Sequence, residues 1–131
     1  MYKVTRLENG LTVATAEMPH MASVSVGIWV GVGGRHEPAP LNGVSHFIEH
    51  LLFKGTKKRS AREISQAVEG IGGYLNAFTS EEQTCFYARA RQADFALLLE
   101  VLTDDVQDAV ELILDYMKKV GPPEVTPRAL A

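Results

Sequence analysis

The chain has 131 residues, 46% of them hydrophobic, which is enough for one domain with a buried core. Sixteen acidic against thirteen basic residues give a net charge of −3, and no Lys/Arg stripe is present that could neutralise a run of phosphates, so nucleic acid is excluded as the expected partner. The single cysteine, Cys85, forbids an internal disulfide, the opening MYKVTRLENG lacks the apolar core of a signal peptide, and the longest apolar run, in DFALLLEVL, is broken by Glu100; these features point to a cytoplasmic chain with no membrane span.

Residues 2–18 form two alternating segments around Asn9-Gly10, the dipeptide best suited to a tight hairpin turn. In SVSVGIWVGV, Val24, Val26, Ile28, Val30 and Val32 fall on one face and Ser23, Ser25, Gly27, Trp29 and Gly31 on the other, the pattern of a half-buried strand. The stretch GGRHEPAPLNG (33–43) is rich in Gly, Pro and Asn and reads as a loop. A phosphate loop would need further glycines at set spacing or a Gly-Lys-Ser/Thr ending, and Gly31, Gly33 and Gly34 offer neither. This loop delivers the chain into a helix carrying His46-x-x-Glu49-His50. Ser60-Ala-Arg-Glu63 is a capping box that opens a helix through ISQAVEGIG, with Gly70, Gly72 and Gly73 as stop signals. YLNAFTS and TCFYARAR, separated by Ser80-Glu81-Glu82-Gln83, predict a second hairpin. From Asp94 to Val120, Leu99, Leu102, Val106, Ala109, Ile113, Met117 and Val120 recur at three- and four-residue spacing, giving one long helix or two with a break near Asp104-Asp105. Gly121-Pro122-Pro123 ends it, and Thr126-Pro127 reads as an N-cap followed by proline at the first helical position. The order ββ, β, α, α, ββ, α predicts an α+β fold, an antiparallel-rich mixed sheet with helices packed on one face.

On a helix His46, Glu49 and His50 fall within a sector of about 100°. Val44, Phe47, Ile48 and Leu51 occupy the opposite side, so packing them on the sheet would turn the polar trio outward into a cleft. Histidines four apart can grip one tetrahedral ion at about 2.0–2.1 Å, leaving room for one more protein ligand and a water, a catalytic rather than a closed structural arrangement. Bound Zn2+ lowers the pKa of its water toward about 7, and Glu49 is placed to take the proton and hand it to a leaving amine. Peptide-bond hydrolysis is the reaction this chemistry serves best. The plainer alternative is a solvated polar helix face on which Glu49 offsets histidine charge. A structural zinc module is disfavoured because it would need four closed ligands, commonly cysteines, and only Cys85 exists. His20 and His36 read as surface residues, and Cys85 as a small buried one.

The motif and its surroundings resemble the inverted-motif (HxxEH) zinc metallopeptidase family of pitrilysin, insulin-degrading enzyme and mitochondrial processing peptidase. LENGLTVATAEMP, SVSVGIWVGVGGRHEP, the block LNGVSHFIEHLLFKGTKKRSAREISQAVEGIGGYLNAFTSEEQTCFYARA and DFALLLEVLTD look like that family's amino-terminal lobe, in order. The resemblance implies a zinc-dependent metalloendopeptidase acting on extended or unfolded peptides, with His46 and His50 as Zn2+ ligands and Glu49 as catalytic base. It also implies that Asn76, Ala77, Phe78 and Thr79 lie in an edge strand on which the peptide substrate is laid. After Asp104 the chain departs from the family. The third ligand there is a glutamate on a later helix; here the nearest one, Glu124, follows Gly121-Pro122-Pro123, and Asp104, Asp105, Asp108, Glu111 or a symmetry mate stay open as sources of the missing oxygen. Residues 105–131 resemble a later, helical part of the lobe, which divides the chain into a lobe-like region, 1–104, and a helical tail, 105–131, as in a truncated or internally deleted form. The alternative function is a non-catalytic relic or partner subunit. An unfinished sheet leaves edges to be paired, so a homodimer or a complementary peptidase subunit joins the peptide substrate among the expected partners.

Overall fold

The computed structural model describes residues 1–120; within its last helix the side chains of 109, 110 and 112–120 lie outside that description. Residues 121–131, with Gly121-Pro122-Pro123, Glu124 and Thr126-Pro127, fall outside the described residues altogether. Asn9-Gly10 turns the chain between β1 (Tyr2–Arg6) and β2 (Thr12–Ala16), which pair antiparallel from Tyr2 opposite Ala16 to Arg6 opposite Thr12. Asn9 Oδ1 accepts the Leu11 N–H at 3.0 Å, the local bond that makes asparagine a turn residue. Every residue of this hairpin is exposed.

The second sheet has three antiparallel strands, β3 (Ser23–Val30), β4 (Tyr74–Thr79) and β5 (Thr84–Arg91), in the order β3-β5-β4. Helices α1 (Val44–Leu52), α2 (Ala61–Glu69) and α3 (Phe95–Val120) cover one face of it. Period-two alternation sends Phe86, Ala88 and Ala90 of the central strand toward the helices, where they meet Ile48, Leu52, Ile64, Val68, Leu98, Val101 and Leu102. Val24, Val26 and Ile28 of β3 line the same layer, and burial of each large aliphatic side chain contributes about 1.5–3 kcal/mol. The expected α+β architecture is therefore present, with all strand pairings antiparallel. Val32, expected on the buried face, is exposed because β3 ends at Val30.

The capping box closes as its sequence requires: Ser60 Oγ accepts the Glu63 N–H, and the Glu63 carboxylate accepts the Ser60 N–H at 2.7 Å. In α3 the inward stripe differs from the one read from spacing. Leu98, Val101, Leu102 and Asp105 face the core at i, i+3, i+4 and i+7, while Leu99 is exposed. The run LeuLeuLeu at 97–99 fits either register, and contact with β3, β5 and α1 selects the one that buries Leu98. Asp104-Asp105 makes no break, since the helix runs unbroken from Phe95 to Val120.

The two aspartates owe their tolerance to different surroundings. Burial alone would raise the Asp104 pKa, but hydrogen bonds and charges from Lys58 and Arg59 outweigh it and hold the group below the usual carboxylate range. Asp105 is 2% exposed, and its Oδ1 meets no donor among the described residues. Burial, reinforced by Asp104 and Asp108 and partly offset by Arg59, pushes its pKa up to about 7. A carboxyl whose folded pKa is raised binds its proton more tightly folded than unfolded, so stability falls as pH rises from about 4 to about 7 and stays reduced above. Asp105→Asn is expected to leave stability at pH 4 nearly unchanged and to raise it at pH 8. The gain is on the order of a few kcal/mol, each tenfold in proton affinity counting about 1.4 kcal/mol. Urea unfolding at the two pH values checks this; an equal effect at both would refute it.

Candidate metal centre

Helix α1 begins after Gly43, whose φ of +89° lies in the left-handed region that side chains avoid. No side chain of its own first turn caps it; instead Glu37 reaches across from the preceding loop and accepts the N–H groups of Gly43 and Ser45, the latter at 2.9 Å. Burial would raise the Glu37 pKa, but these bonds and the Ser45 hydroxyl outweigh it and lower it. The loop itself is seated by Gly33, where a Cβ would stand 2.3 Å from the Ser80 carbonyl oxygen. Gly34 and Arg35 N–H groups donate to the carbonyls of Ser80 and Glu81 at 3.1 and 2.8 Å. Gly33 thus serves close backbone approach to the β4–β5 turn. His36, beside them, is exposed, and its Nδ1 accepts the Gly33 N–H at 3.2 Å; His20 is exposed too.

His46 and His50, one turn apart on α1, are both exposed and converge. Their Nε2 atoms are 3.0 Å apart, and the rings are tilted by 52° with centroids 4.5 Å apart. Two nitrogens bound to one tetrahedral ion at 2.0–2.1 Å would stand roughly 3.3 Å apart, so the pair fits two vertices of a zinc site with little adjustment. Glu49 does not join them on the outside. It is 8% exposed and turned toward the sheet, where its Oε2 accepts the Thr79 hydroxyl at 2.7 Å. The buried face of α1 is Ser45, Ile48, Glu49 and Leu52, whereas Phe47, expected in the core, is 62% exposed and Val44 and Leu51 are half-buried. The helix is thus rotated by about one residue step, roughly 100°, from the orientation its apolar residues suggest. The cause is that α1 packs against α3 as well as β4, and Leu52 outweighs Phe47 as the residue between them.

Asn76, Ala77, Phe78 and Thr79 lie in β4, an edge strand of its sheet. Ala77 is buried and Phe78 exposed on the helix-free face, near the Tyr87 ring at 6.3 Å between centroids. Asn76 donates to the Tyr74 hydroxyl at 2.7 Å, and its Oδ1 accepts the Ala77 N–H at 2.8 Å. A cleft of about 350 Å³ opens where β4 ends, lined by Glu37, Gly43, His46, Thr79, Ser80 and Glu81 among others. Cys85, expected to be buried, is buried in β5, which raises its thiol pKa.

Of the described acidic residues considered for a third ligand, three are paired elsewhere and the fourth is buried away from the histidines' helix. Asp104 binds Lys58 and Arg59, Asp108 accepts the Lys57 N–H at 2.7 Å, Glu111 pairs with Lys57, and Asp105 is buried on α3. Among the described residues, no group of three His, Cys, Asp or Glu could hold a metal. Sequence reasoning missed two contacts, Glu37 on the α1 N-terminus and Thr79 on Glu49. The second joins residues 30 apart in sequence, and the first crosses a Pro-rich loop with no helical or strand period to signal it.

The profile described as Insulinase (Peptidase family M16) matches residues 12–119. The chain belongs to the M16 peptidase family. It is 49% identical over 100 residues to an uncharacterized zinc protease of Streptomyces coelicolor, covering 76% of this chain and 22% of that protein. It is 47% identical over 107 residues to the beta subunit of the mitochondrial-processing peptidase of Blastocladiella emersonii, covering 82% of this chain and 23% of that one. The crystal structure of a protease from Helicobacter pylori superposes with a TM-score of 0.73 at 30% identity, covering 80% of this chain and 26% of that chain. The chain thus spans about a quarter of the length of these M16 relatives.

The remote cap on α1 is testable. Glu37→Ala, which strips two backbone N–H groups of their acceptor, is expected to cost about 1–2 kcal/mol in urea unfolding. It should also broaden the His46 ring resonances; an unchanged midpoint and spectrum would refute the role.

Proposed function

We propose that this chain carries the zinc-holding and proton-transferring part of a metalloendopeptidase that hydrolyses peptide bonds in extended or unfolded peptides. The observation that carries the reading is the 3.0 Å approach of the His46 and His50 Nε2 atoms on the helix that also bears Glu49. Zn2+ is the cofactor, with His46 and His50 holding it through Nε2. When bound it polarises the peptide carbonyl and makes water a stronger nucleophile. Glu49 accepts the proton released as water attacks the peptide carbon and returns it to the departing nitrogen, so the C–N bond breaks into a carboxyl and an amine. Asn76 to Thr79 present the edge of β4, on which an extended peptide pairs as an added strand.

A second reading, a non-catalytic relic or partner subunit, draws on the missing third donor among the described residues and on the exposed β1–β2 hairpin. Complementary subunits or a second copy of the chain would supply what is missing. One experiment separates the readings. Zinc content and cleavage of an unfolded peptide are measured for the unsubstituted chain, His46→Ala and Glu49→Gln. The peptidase reading expects about one zinc and cleavage in the first, loss of zinc in the second, and retained zinc with activity down at least about 100-fold in the third. A chain that neither retains zinc nor cleaves overturns it, and cleavage appearing only after a complementary peptidase subunit is added selects the partner-subunit reading.

A further inference from the structure

Thr79 is the last residue of β4, registered opposite Thr84 of β5. Alternation along β4 sends Leu75, Ala77 and Thr79 toward the helices and Asn76 and Phe78 toward the other face, so position 79 is where this strand places a side chain against α1. Its hydroxyl donates to Glu49 Oε2 at 2.7 Å, and Glu49 is 8% exposed. Glutamate has three rotatable side-chain bonds and no preferred carboxylate direction of its own, whereas threonine is stiff at χ1 and its backbone is held in a sheet. The bond therefore passes the rigidity of the strand to the carboxylate.

We infer that Thr79 is a positioning residue whose hydroxyl fixes the direction of the Glu49 carboxylate and ties it to the strand edge that carries the peptide. The inference rests on the peptidase reading above and adds to it a role for Thr79 distinct from contact with substrate. The hydroxyl occupies Oε2 and leaves Oε1 to exchange the proton, so the base and the strand that aligns the scissile bond move as one body. Misplacement of a reacting group by about 1 Å can cost on the order of 100-fold in rate, which is the scale of what the bond protects.

The test begins on the metal-free chain. The Glu49 carboxyl carbon resonance, assigned by its loss in Glu49→Gln, is expected to stay in place in Thr79→Ser and to shift in Thr79→Val, which removes the hydroxyl donor. An unmoved resonance in Thr79→Val overturns the inference. Should the valine variant fail to fold, the unsubstituted chain decides. Its Thr79 hydroxyl proton is expected to exchange with water much more slowly than that of exposed Thr5, and equal exchange overturns the inference. In the zinc-loaded chain, Thr79→Val is expected to lower kcat about 10- to 100-fold with KM within about twofold, and Thr79→Ser to restore most of it. Unchanged kcat in the valine variant overturns the inference and leaves the peptidase reading standing. Absence of zinc and cleavage in the unsubstituted chain overturns that reading, while the metal-free resonances still report the Thr79 bond.

Discussion

Helix α1 has nine residues and two neighbours to satisfy, β4 on one side and α3 on the other, and this double contact governs the site. Leu52 and Ile48 fill the space between sheet and α3, and the rotation that buries them carries Glu49 inward as well. A carboxylate in that position is tolerated only with a donor, because an unpaired buried polar group costs about 1–3 kcal/mol or more when charged. Thr79 supplies it. The exposure of Phe47 is the other side of the same rotation: a helix cannot bury Ser45, Ile48, Glu49 and Leu52 and also the residue about 160° away from Glu49.

Charged groups on the segments flanking α1 brace both of its ends. Glu37 holds the first turn. Past the last turn, the loop KGTKKRS reaches α3, and its charge pairs are not equal in weight. Lys57–Glu111 joins side chains 72% and 40% exposed, a class worth about 0–1 kcal/mol, while Arg59–Asp104 joins side chains only 19% and 7% exposed, with Lys58 on the other oxygen of the same carboxylate. Arg59 pairs with Glu100 as well as Asp104, so it is the residue that joins the loop to two acidic side chains of α3. The histidines thus sit on a helix whose two ends cannot drift independently.

What the sequence made legible follows the range of the interaction that decides it. Asn9-Gly10, the Ser60–Glu63 box, the alternation in β3 and the β4–β5 hairpin are decided within a few residues, and each element lies where its local chemistry put it. The convergence of His46 and His50 was legible too, since i,i+4 spacing on one helix is a local fact. The orientation of α1 was not, because Phe47 and Leu52 have similar claims to a core and only the position of α3 decides between them. Leu98 against Leu99 is the same problem inside a run of three leucines. Asp105 is a third case: nothing local marks it for burial, and it goes inward because it lies seven residues on from Leu98.

The sheet is helix-covered on one face only. The other face presents Trp29, Tyr74 and Phe78 at 61%, 53% and 43% exposure, with the Trp29 ring lying over Gly27, where a Cβ would come within 2.6 Å of it. A two-stranded ribbon such as β1–β2 is marginal without cover, and a layer with aromatic residues on its open face calls for one as well. The supports of the helix that carries the histidine pair are Glu37 on its first turn, Thr79 on Glu49 and the α1–α3 contact. Nitrogens already 3.0 Å apart on a helix pinned at both ends need little reorganisation to accept an ion. A third oxygen donor would therefore add affinity, toward the roughly 10–16 kcal/mol of complete zinc sites, more than it would add geometry.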